Sequence, residues 1–98
     1  LTNLRVDAAL AEQWGLVAEG VGDDELRDHA LTTARKLASG PTLGFAAQRR
    51  LFRDSPGSSL SDQLRAETDA LAVVGRTRDA QHAIEAFIDK EVPIFEGR

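Results

Sequence analysis

The 98-residue sequence has no cysteine, which removes disulfides as staples for a small fold and thiolates as metal ligands or nucleophiles. Aromatic side chains are scarce: Trp14, Phe45, Phe52, Phe87 and Phe95. A core therefore has to come mostly from Leu, Ala, Val and Ile. No apolar run approaches the roughly 20 residues of a membrane span, and no leader pattern marks a signal peptide. An excess of basic residues is also missing. Sixteen acidic against twelve basic residues leave a net charge of −4, which argues against a nucleic-acid-binding face, since such a face must displace counterions. The expectation is a cytoplasmic chain with no membrane and no nucleic-acid partner.

Catalytic signatures are absent too. There is no G-x-S-x-G, no P-loop and no G-x-G-x-x-G. His29 and His82 have no ligand at metal-binding spacing. Asp23, Asp24 and Glu25 form an acidic run without the remaining ligands of a calcium loop, so a helix start explains them better. Arg49, Arg50 and Arg53, with Arg76 and Arg78 later, could touch phosphates, but a solvated helix face is the plainer reading. Neither metal ligands nor catalytic residues can be assigned.

What is present is helical patterning, within a length that allows one domain at most. A chain this short buries only about 60–65% of its unfolded surface, so packing against a partner would help it. Residues 7–14 read as a first helix, closed by Gly15 as a left-handed cap. Residues 16–21 read as a brief extended segment or small strand. Asp23 or Asp24 should cap a second helix running to Ala38, where Gly40-Pro41 stops it. A third helix is expected from Leu43 to Phe52, with a flexible loop at 54–59. Ser59, with Asp62 three residues on, should cap a fourth, bearing Leu60, Leu64, Leu71 and Val74 on one stripe. Glu67 falls in that stripe, which predicts partial burial and an Arg partner. Thr77 should cap a fifth helix with the stripe Ala80, Ala83, Ile84, Phe87 and Ile88, before an extended tail at 92–95. Trp14 is expected in a core or an interface. The class is all-α, with at most one short strand.

Four stretches, in order, resemble the C-terminal part of the crotonase (enoyl-CoA hydratase/isomerase) family. They are LTNLRVDAALAEQWGLVAEGV at 1–21; DDEL at 23–26 with its helix ending in LASGP at 37–41; SLSDQLRAETDAL at 59–71; and DAQHAIEAFIDKEVPIFEGR at 79–98. The ending AFIDKEVPIFEGR is the most specific. GRTRDA at 75–80 is most like members linked to aromatic-acid degradation. Arg49 departs from a common Lys, and Glu91 from a common Arg.

The resemblance implies short helices from the C-terminal region of a ClpP/crotonase fold, spanning 1–98, with the catalytic N-terminal domain absent. In the intact parent, two backbone N–H groups would hold a thioester carbonyl in an oxyanion hole and acidic residues would move protons. Those elements precede Leu1 in a family chain, so the 98 residues alone are expected to be inactive. The implied partners are further copies in a homo-oligomer, with acyl-CoA as the parent's substrate; no cofactor is implied beyond that coenzyme A thioester. By resemblance, Phe87 lines the acyl pocket and Lys90 approaches the nucleotide end of CoA. Ordinary core packing for Phe87, and a solvated helix-end charge for Lys90, remain open alternatives. So does a stand-alone helical interaction module that kept the helices without the chemistry.

Overall fold

The computed structural model describes residues 3–98, so the Leu1-Thr2 opening of the first matching stretch lies outside the described residues. Five α-helices follow one another: α1 (Ala8–Gln13), α2 (Leu26–Ala38), α3 (Thr42–Asp54), α4 (Leu60–Val74) and α5 (Arg78–Asp89), with a 3-10 turn at Ser55–Gly57. No strand occurs among the described residues. Two compact units divide the chain, one up to Thr33 and one from Ala34 to Arg98.

In the first unit, Asp7 caps α1 by accepting the Leu10 N–H at 2.9 Å. Trp14 ends the helix, and Gly15 turns the chain with φ of +70°, a conformation that costs glycine little. The indole is 53% exposed, so it is not a core residue here. Residues 16–18 form bends instead of the expected extended segment. The Leu16 N–H is spent on the Ala11 carbonyl, and Gly20 N–H reaches the Glu12 carboxylate, so the segment wraps on α1. The start of α2 also differs from expectation. Its turn is held by the Gly22 carbonyl, which accepts from Glu25 and Leu26 N–H. No Asp23 or Asp24 carboxylate makes a cap bond there.

In the second unit, α3 and α4 pack side by side. Ala70 is buried in the contact, and Gly44 faces Val74, where an added Cβ would make an ordinary contact at 3.9 Å. The 54–59 connection is an ordered 3-10 turn where a flexible loop was expected, because Ser58 N–H donates to Ser55 O and Ser58 Oγ donates to Asp54 O. Ser59 accepts the Asp62 N–H at 3.1 Å and donates to the Asp62 carboxylate at 2.7 Å, as the spacing predicted. Thr77 likewise accepts the Ala80 N–H at 3.2 Å to open α5. Glu67 departs from its reading. It is exposed and accepts from Gln63 Nε2 at 2.9 Å, one turn back, with no Arg partner. Leu60, Leu64 and Leu71 of the same stripe are exposed as well, so nothing forces the carboxylate to find a cation.

Candidate functional site

The residues with the most to say about function lie on α5 and the tail behind it. This helix has the sharpest division into polar and apolar faces. Ala86 and Asp79 are buried, whereas Ile84 (60%), Phe87 (83%) and Ile88 (70%) stand in the open. Phe87 is therefore not a core residue of this chain.

Both residues carried over by resemblance sit at the C-terminal end of α5, where the Lys90 N–H donates to the Phe87 carbonyl at 3.3 Å. Lys90 caps the helix in the left-handed region, φ 59° and ψ 33°. A lysine there carries a steric cost that glycine does not. The next N–H, of Glu91, closes the cap on the Ala86 carbonyl at 2.8 Å. Replacing Lys90 with Gly is expected to stabilise the chain by up to about 1 kcal/mol, a gain trimmed by glycine's greater freedom when unfolded. Thermal unfolding followed by circular dichroism checks this; a lower midpoint for Lys90→Gly would show that the side chain contributes more than its backbone costs.

Helical patterning does not point to the strongest polar arrangement in the unit. Asp79, only 5% exposed, accepts the Glu96 N–H on Oδ1 and the Gly97 N–H on Oδ2, each at 2.8 Å. Its own N–H donates to the Arg98 carbonyl at 2.9 Å. Gly97 makes this possible: its φ is +76°, and a Cβ would stand 3.1 Å from Thr42 Oγ1. The Asp79 carboxyl is held below the ordinary carboxylate range, first by the Glu96 N–H and then by Gly97 and Arg98, against the opposing effect of burial. The bonds span 17 and 18 residues, beyond the reach of helical patterning. The only local hint was an acid in a helix's first turn.

The remaining candidates lie apart. His29 Nε2 stands 2.9 Å from Glu19 Oε2 on the surface of the first unit. His82 borders an open groove with Arg78, Asp79, Ile94 and Glu96. Arg53 pairs with Asp54 at 3.0 Å, and its hydrogen bond lowers the Asp54 carboxyl. Arg49 and Arg50 are exposed.

The whole chain, residues 1–98, matches the enoyl-CoA hydratase/isomerase family model. It is 32% identical over 94 residues to the 1,2-epoxyphenylacetyl-CoA isomerase of Escherichia coli K12, covering 96% of this chain and 36% of that protein. An enoyl-CoA hydratase/isomerase structure from Mycobacterium abscessus superposes with a TM-score of 0.91 at 40% identity, over 95% of this chain and 36% of that one. An enoyl-CoA hydratase subunit I from Geobacillus kaustophilus HTA426 gives 0.94 at 25% identity, over 99% and 38%. The chain thus spans little more than a third of the length of these relatives. With a match along its full length and the same run of helices, the chain belongs to the enoyl-CoA hydratase/isomerase family.

Proposed function

We propose that these 98 residues form the C-terminal segment of an acyl-CoA hydratase or isomerase, where they pack subunits together and close over the acyl-CoA site in the cytoplasm. The observation that carries this reading is the surface left uncovered. The chain exposes 8674 Å². A compact chain of 10.6 kDa would expose about 5500 Å², and two separate compact bodies of the same total mass about 6500 Å². Roughly 2000 Å² or more is therefore in excess, the size of a stable protein interface. Much of the uncovered area is apolar, including Leu60, Leu64, Leu71, Ile84, Phe87 and Ile88. Exposed apolar surface on this scale marks a contact face, and the family match along the whole chain makes the rest of the same enzyme its natural cover.

On this reading Phe87 lines the acyl pocket and Lys90 meets the nucleotide end of CoA. The left-handed backbone at Lys90 supports the second assignment. A position that favours glycine holds a long cationic side chain, and such strain collects where a side chain has work to do. An aromatic acyl group is the first substrate to try, because one relative is named for 1,2-epoxyphenylacetyl-CoA and the GRTRDA stretch points the same way.

The test uses the enzyme carrying both this segment and the preceding catalytic part. Lys90→Ala is expected to raise KM for acyl-CoA about tenfold and leave kcat nearly unchanged, because contact with a remote phosphate binds ground and transition states alike. An unchanged KM would remove Lys90 from the site.

A further inference from the structure

The last helix and the tail form a closed loop. Twelve residues of α5 rise about 18 Å. Residues 91–96, if extended, reach about 20 Å back. The return ends where α5 began, at Asp79, and the turn between the two runs is Lys90. We propose that Asp79 is a positioning residue: by fastening Glu96 and Gly97 to the start of α5, it fixes the turn at Lys90 at the opposite end. The fastening is independent of the acyl-CoA reading; only the use made of Lys90 rests on it.

The geometry favours a fastener over an incidental contact. Both carboxylate oxygens are used, each on a different N–H, and the Asp79 N–H takes the Arg98 carbonyl, so three bonds join the same two short stretches. Charge-assisted bonds to a buried carboxylate are stronger than neutral ones. Every bond is made by backbone on the tail side, so the tail is held in register whatever its side chains do. Side-chain packing adds a second hold only at Pro93 and Phe95, which are half-buried, since Val92 and Ile94 are exposed. The charged and titratable groups around Asp79 are Arg78 and His82 on its own helix and Glu96 and Arg98 on the tail; α3 contributes the neutral Thr42 hydroxyl beside Gly97. Arg98 is engaged with Glu96, its Nη2 2.6 Å from Oε2.

The sign of the pH dependence follows from the lowered carboxyl. A folded-state value below the ordinary 3.8 means that the fastening is complete above the unfolded value and fails as pH falls through the folded one. The tail is thus held throughout the neutral range and released only in acid.

Amide hydrogen exchange by NMR on the 98-residue chain, corrected for intrinsic rates, is the test. In Asp79→Ala the protection of Glu96 and Gly97 should fall roughly tenfold or more. Protection of Glu91, which closes the Lys90 turn, should fall with it, while Ala70 and Val74 on α4 keep theirs. Asp79→Asn offers one acceptor in place of two and should fall between. The wild type should lose tail protection below about pH 4, Asp79→Asn should show no such step, and Glu96→Gln should retain it, which separates Asp79 from the neighbouring carboxylate. Equal loss along α4 in Asp79→Ala would mean a general structural role and overturn the proposal. So would a tail change that leaves Glu91 untouched, or an acid step that persists in Asp79→Asn. Should Asp79→Ala fail to fold, the wild-type and Asp79→Asn acid series still decide. A fastening that passes while Lys90→Ala leaves KM unchanged would refute the CoA assignment alone.

Discussion

Purified by itself, the 98-residue chain is expected to hydrate a short enoyl-CoA no faster than the buffer does, measured as loss of the conjugated thioester absorbance. The geometry gives the reason. Hydration needs an acid or base with a carboxyl tuned upward toward neutrality. Asp54 and Asp79 are both moved down, the wrong direction for such a group, one by the Arg53 hydrogen bond and the other chiefly by the Glu96 N–H of the tail. Hydration also needs two convergent donors for the thioester oxygen, and each such donor is worth roughly 10²–10³ in rate. Glu96 and Gly97 do present adjacent N–H groups, but Asp79 occupies both. Turnover above the control by the purified chain would place a catalytic centre within these residues and undo the reading of them as a site-closing segment.

Association carries the second large effect. At micromolar concentration the isolated chain is expected to sediment as a homo-oligomer, most simply a dimer, and Phe87→Asp to shift it toward monomer. Covering a few hundred Å² of the exposed apolar faces yields on the order of 5–10 kcal/mol at about 25 cal/mol per Å². Association entropy opposes this, so a dimer at micromolar concentration, which needs roughly 8 kcal/mol net, has to cover a larger share of the roughly 2000 Å² left open. Phe87, the most exposed aromatic on the α5 face, is the natural centre of such a contact. An aspartate there would bring an unpaired charge into it, enough to weaken the oligomer by a factor of about 100 or more. The 75–78 link is a hydrogen-bonded turn, with Gly75, Arg76 and Thr77 N–H groups donating to Leu71, Val73 and Val74 carbonyls, so face-to-face docking is a simpler path than exchange of the last helix. A compact monomer with no concentration dependence would refute the association.

Local chemistry was legible in the sequence, and distant chemistry was not. The caps at Ser59 and Thr77 could be read because each bonds to an N–H three residues on, whereas Asp7, read as the first helical residue, is the cap of α1. Gly15 and Pro41 punctuated the chain for equally local reasons, one through its free φ and the other through its missing N–H. Residues 16–21 failed because a short apolar stretch carries no reliable period, and here its N–H groups found partners on α1. Glu67 failed because an apolar stripe records what a helix face could bury and says nothing of what covers it. At the site, Phe87 and Lys90 came from family resemblance, since periodicity cannot tell a core phenylalanine from a pocket phenylalanine. The left-handed turn at Lys90 had no glycine to announce it. Asp79 lay out of view because its partners are bare N–H groups, which leave no mark on side-chain pattern.

Trp14, half-open at the end of α1, has a practical consequence. It is the only tryptophan, and tyrosine is absent. Indole emission therefore comes entirely from the unit that ends at Thr33, while the unit from Ala34 to Arg98 contains phenylalanine alone as an aromatic. Fluorescence and far-ultraviolet dichroism thus report on different parts of the molecule. Three of the five helices and the end of α2 fall in the unit without indole, so a dichroism melt that departs from the fluorescence melt would resolve the two units without any label.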